Sequence, residues 1–157
     1  MSIVENLDSC EGFSSIFEIV QQCVYKSLGK KRSGLSLGLT DLPLQVGGFH
    51  AVPSNFIMLN RKILNAITQY NKKLANAYIF HVLLHEYLHT LGILDEEKVG
   101  ILTYLISKKF FGEEHPSTLI SKYGIGYVFP RLAVDPQTNR SITIVEDFDT
   151  ENLSYIG

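Results

Sequence analysis

The chain has 157 residues, 45% of them hydrophobic, and sets 14 Lys and Arg against 16 Asp and Glu for a formal net charge of -2. That much apolar side chain suits one domain with a real core over residues 1–157, while the lack of excess positive charge argues against a nucleic-acid partner. No apolar run approaches the ~20 residues of a membrane span, the N-terminus lacks a basic-then-apolar signal pattern, and Cys10 and Cys23 are too few for a disulfide framework, so a soluble cytoplasmic protein is expected.

The first element runs from Ser9 or Ser14 to about Lys31. Phe13, Ile16, Phe17, Val20, Val24 and Leu28 recur at three- and four-residue steps, which predicts an amphipathic helix capped by Ser14 or Ser15 and stopped near Gly29. The basic cluster from Lys26 to Arg32 reads as its solvated end. Residues 35–39 alternate Leu with Ser and Gly, a short strand that ends at Asp41 and Pro43, and residues 46–52 form a loop or bulged strand. A better strand covers 54–59, and Asn60 caps a helix from about Arg61 to Tyr70.

Residues 72–76 read as a polar break. Residues 77–92 follow as a long apolar run without Pro or Gly until Gly92, hence one mostly buried helix. A second helix begins near Asp95, with Glu96 and Glu97 in its first turn and Val99, Ile101, Leu102, Leu105 and Ile106 inside, and stops by Gly112. Residues 113–124 carry a weak helical signal through Ile120. Residues 127–129 and 141–145 look strand-like around a turn at 135–139, and the acidic stretch 146–157 looks like a flexible tail.

The chemistry concentrates in the long helix, at His85-Glu86-x-x-His89. Residues four apart share a helix face, so the two imidazoles can close on one divalent ion while Glu86 projects beside them. Two neutral imidazoles hold zinc with positions open. Zinc lowers the pKa of bound water to roughly 7, and a neighbouring carboxylate can take the proton and return it to a leaving amine. Two imidazoles alone bind weakly for a catalytic site, so a third ligand is expected just behind Gly92, where Asp95 fits. Asp95 equally reads as the cap of the next helix, and Glu96 stands in reserve. His81 lies eight residues from His89, about 12 Å along a helix, too far to share their ion. His50 and His115 read as surface or packing residues. An oxyanion donor could be Tyr87, Tyr104, Tyr123 or Tyr127, and the spacing does not choose among them.

On these residues the chain resembles the zincin metallopeptidases, whose signature is His-Glu-x-x-His on an active-site helix. The resemblance spans roughly residues 54–105. With its continuation, His85-Glu86-x-x-His89-x-x-Gly92-x-x-Asp95 is most similar to the snapalysin-like peptidases, while metzincins place a third His where Asp95 stands. The resemblance implies an α+β domain with a small mixed sheet packed on the active-site helix, a Zn²⁺ cofactor on His85, His89 and Asp95, and Glu86 as general base. It also implies a peptide or protein substrate that pairs with an edge strand, a place that Phe56-Ile57-Met58-Leu59 resembles in position and character, although these residues read equally as an ordinary inner strand. Two other readings are open. Bacterial ribosome-maturation endoribonucleases share the His-x-x-x-His-x-x-Gly spacing but lack the Glu and supply a third His, and a regulatory protein could keep zinc for structure alone, where Glu86 would have no task.

Overall fold

The computed structural model of the chain describes residues 2–51 and 53–149. Its first elements are α1 (Ile3–Asp8), which Ser2 caps, and α2 (Phe13–Leu28). α2 ends at Gly29, whose φ of +65° is left-handed backbone that glycine adopts without strain. Its N-cap is Gly12 rather than Ser14 or Ser15, and the Ser15 hydroxyl donates to the Gly12 carbonyl. Three strands follow or are interleaved: β1 (Ser36–Thr40), β2 (Gly48–His50) and β3 (Phe56–Asn60). Then come α3 (Arg61–Ile67), α4 (Lys72–Thr90), α5 (Glu96–Phe111), α6 (Pro116–Tyr123), α7 (Ile125–Val128) and finally β4 (Thr143–Val145).

The sheet order is β2-β3-β1-β4, with β1 and β3 parallel and the other two pairings antiparallel. The fold is therefore α+β with a small mixed sheet. Leu37, Ile57 and Leu59, all at 0% exposure, form the inner face of the sheet and join the helices in one apolar core. α4 runs through that core and packs on α1, α2, α5 and α6 as well as on β2 and β3. Being covered on most sides, it carries apolar residues nearly all round, including Phe80, Leu83, Leu84, Tyr87 and Leu88.

Several expectations are corrected. Residues 72–76 are the first turn of α4 rather than a break: Asn71 caps it through Leu74 N, and Lys, Leu and Ala are good helix formers. Asn76 is buried there and donates to the carbonyls of Leu7 and Cys10, fixing α1 against α4. Residues 127–129 are not a strand: Tyr127 and Val128 end α7, and Phe129 is its C-cap. β3 is an inner strand, flanked by β2 and β1, so the edge beside α4 belongs to β2. The start of the acidic stretch is docked: Phe148 stacks on Phe17 at 4.3 Å and Asp149 accepts from Leu35 N at 3.1 Å. Residues 150–157 of that expected tail lie outside the described residues.

One buried side chain shapes the segment between β1 and β2. Asn60, at 0% exposure, caps α3 through Lys62 N, accepts from Leu42 N at 3.1 Å, and places Nδ2 within 2.9 to 3.1 Å of the carbonyls of Leu42, Pro43 and Val46. No helix among the described residues is long and apolar enough to cross a membrane. Cys10 and Cys23 are free and buried.

Candidate metal centre

α4 brings His85 and His89 to one face, one turn apart, with ring centroids 5.0 Å from each other. α5 supplies the third group. Asp95, expected as the ligand, instead caps α5: its Oδ1 accepts from Glu97 N at 2.9 Å and Lys98 N at 3.3 Å. The next residue, Glu96, is largely exposed, and its carboxylate lies across the two imidazoles, Oε2 at 3.0 Å from His85 Nε2 and Oε1 at 2.8 Å from His89 Nε2. One ligand atom from each of His85, His89 and Glu96 falls within 4.8 Å of the others, the spacing that a shared ion requires.

The orientation of His89 points the same way. His89 Nδ1 donates to the Ile93 carbonyl at 2.8 Å, which turns the buried Nε2 toward Glu96 Oε1, 2.8 Å away. So short a gap between an imidazole nitrogen and a carboxylate oxygen is favourable with a proton or a cation between them. Two imidazole nitrogens and one carboxylate oxygen are a donor set that fits zinc.

Electrostatics favour the ligand forms. Burial pulls His85 below its ordinary pKa against the opposing pull of the Glu96 bond, so the neutral ring that metal binding needs is the preferred one. At Glu96 burial works toward a higher pKa, but the His85 hydrogen bond and the two nearby imidazoles outweigh it and hold the carboxyl below its usual range.

Glu86 sits beside this group, 5% exposed, with its pKa pushed up to about 8 by burial and then by the Glu96 charge. It belongs to the walls of two recesses. A cleft of about 430 Å³ is bounded by residues 44–48, α4 and α6, and a smaller recess of about 200 Å³ contains Phe49, His50, His89 and Leu94. Gly48, Glu86 and Glu96 line both, so a groove passes the candidate metal group on either side. The β2 backbone lies tight against this groove: a Cβ on Gly48 would stand 2.6 Å from the Met58 carbonyl oxygen and 3.5 Å from Glu86 Cγ.

The remaining candidates separate clearly. Tyr87 is fully buried with its hydroxyl engaged by the Arg32 backbone, accepting from N at 2.9 Å and donating to O at 3.4 Å, while Tyr123 and Tyr127 are exposed with rings 4.7 Å apart. Tyr104 lies near Lys108. His50 Nε2 donates to the Ser54 carbonyl, and His115 is the cap of α6. Sequence reasoning missed Tyr78 and the Gly47-Gly48 pair, which line the cleft; their signal was only proximity to Glu86 on a helix face and a strand too short to register. Comparison of the chain with protein-family models, with curated proteins and with solved structures finds no match.

Proposed function

We propose that this chain is a zinc-dependent peptidase of zincin type, with His85, His89 and Glu96 as the protein ligands and Glu86 as the acid-base residue. The observation that carries the reading is the convergence of His85, His89 and Glu96, with one ligand atom of each within 4.8 Å of the others. A zinc ion held there would act as a Lewis acid toward water and the scissile carbonyl.

The chain's own residues divide the rest of the work. In its ionised form the Glu86 carboxylate, its pKa raised to about 8 by burial, would take one proton from the attacking water and give it to the departing amine. His89 is kept in its binding tautomer by the Ile93 carbonyl, so no reorganisation precedes binding. β2 pairs with the sheet on one side only, and its other edge offers backbone groups to an extended peptide, the role expected of β3. Neither recess is lined by Lys or Arg, which favours a peptide over an RNA strand.

The test combines elemental analysis with cleavage of casein and short peptides. One zinc per chain, hydrolysis abolished by chelation and restored by zinc, and a Glu86→Gln variant that keeps zinc without hydrolysis are expected. Metal-free activity, or full activity in Glu86→Gln, would overturn the reading.

A further inference from the structure

The sheet has two edges, and only the one formed by β2 lies beside the candidate metal group. β4 forms the other, paired with β1 alone among the described residues. Ile144 stands opposite Gly38 and shares its face, while Val145, opposite Leu37, packs against the core. Ile142 reaches the same outer face, since a Cβ on Gly38 would meet its Cγ2 at 3.2 Å. The chain already runs beside β1 at Arg140, whose carbonyl accepts from the Thr40 hydroxyl at 3.2 Å. Ile142 and Ile144 are 59% and 51% exposed, and Arg140, Thr143 and Glu146 are exposed with them. An open edge that carries apolar side chains is a template for another strand, and natural edges blunt it with charge. Here the flanking charges have opposite signs, Arg140 before the strand and Glu146 after it, and neither is ion-paired among the described residues.

We propose that β4 is the contact through which two copies of this chain associate, antiparallel about a two-fold axis at Thr143, joining two four-stranded sheets into one of eight. The side chains select this register. Residues directly opposite in an antiparallel pair share a face, so the outer faces of two copies are continuous only when even-numbered positions meet even-numbered ones. With Thr143 at the axis, Arg140 meets Glu146 and Ile142 meets Ile144, each twice by symmetry. With Ile142 at the axis, Arg140 would face Ile144; with Ile144 there, Ile142 would face Glu146. Each alternative sets a charge against an isoleucine. An in-register parallel pair would oppose like charges at both ends, which is destabilising. The complement that this edge asks for is therefore its own sequence, running the other way. The seam lies across the sheet from β2, so both clefts stay open, and nothing in the argument depends on the peptidase reading. One strand from each copy makes a small interface, so the dimer dissociates on dilution.

Analytical ultracentrifugation of the full chain, from low micromolar to near-millimolar concentration, tests this. Wild type should pass reversibly from monomer to dimer. Arg140→Glu and Glu146→Arg each oppose like charges twice across the seam and should each dimerise about tenfold more weakly. Mixed in equal amounts, the two variants should pair with one another as tightly as wild type pairs with itself, because each offers the charge that the other lacks. Ile144→Lys, with a cation in the middle of the seam, should stay monomeric with an unchanged circular dichroism spectrum. Wild type that is monomeric throughout, single charge variants that associate as wild type does, a mixture that gains nothing, or a dimer that survives Ile144→Lys overturns the inference.

Discussion

Two histidine groups in this molecule look alike on paper and differ in what they leave undone. At the junction of α1 and α6, His115 Nδ1 accepts from Ser117 N at 3.2 Å while Nε2 donates to Asp8 at 3.1 Å, so both nitrogens are satisfied and the ring is 6% exposed. At the junction of α4 and α5, His89 is almost equally buried, yet its Nε2 lies 2.8 Å from a Glu96 carboxylate that also reaches His85. The first arrangement is a completed cap. The second gathers three ligand atoms within 4.8 Å, a spacing that could hold an ion. A buried histidine is thus informative through the accounting of its two nitrogens rather than through its burial.

The sharpest way to break this contrast is at the proton-handling residue of the unfinished group. Glu86→Gln keeps shape and removes the base, so peptide hydrolysis should fall about 10²- to 10⁴-fold with zinc content unchanged, as read by steady-state kinetics beside elemental analysis. Next is the proposed ligand. Glu96→Ala should lose zinc on desalting and with it the metal-linked stability, about 3 kcal/mol when free zinc is ~100-fold above its dissociation constant, so a chelator should lower the melting temperature of wild type and leave that of the variant unmoved.

The completed group responds to pH instead. Burial, against the pull of Asp8, holds His115 below its ordinary pKa, so the folded chain keeps it neutral while the unfolded chain protonates it near pH 6.5. The unfolded state then binds more protons, and stability should be full above pH 6.5 and fall as the pH drops below it. His115→Asn, which can still cap α6, should flatten that acid slope in thermal melts without altering zinc binding. The smallest effect belongs to Asp95→Ala, about 1 kcal/mol from the lost cap, with zinc retained; if zinc went with it, Asp95 rather than Glu96 would be the ligand.

Much of the frame was legible from periodicity. α2, β1, β3 and α5 lie where apolar spacing and turn residues put them, and the His85-Glu86-His89 face follows from a repeat of four on a helix. What escaped depends on partners far along the chain. The lysines and Asn76 that open α4 look like a break because their value lies in Asn71 capping and in bonds to α1. β3 is internal because β2, only three residues long, takes the edge, and strand order is not written in alternation. For Asp95 the sequence balances a ligand against a cap; the backbone N–H groups of Glu97 and Lys98 engage it as a cap, and it is Glu96, held in reserve, whose carboxylate lies beside the rings.

The amide of Asn60 ties four backbone groups of the segment that forms one jaw of the cleft. The frame of that jaw is thereby decoupled from the residues it displays: Leu44 and Gln45 face the opening without bearing on how the loop is held. Exchange at these two places would accordingly alter the rim of the cleft while the Asn60 bonds keep the loop in position beside α4.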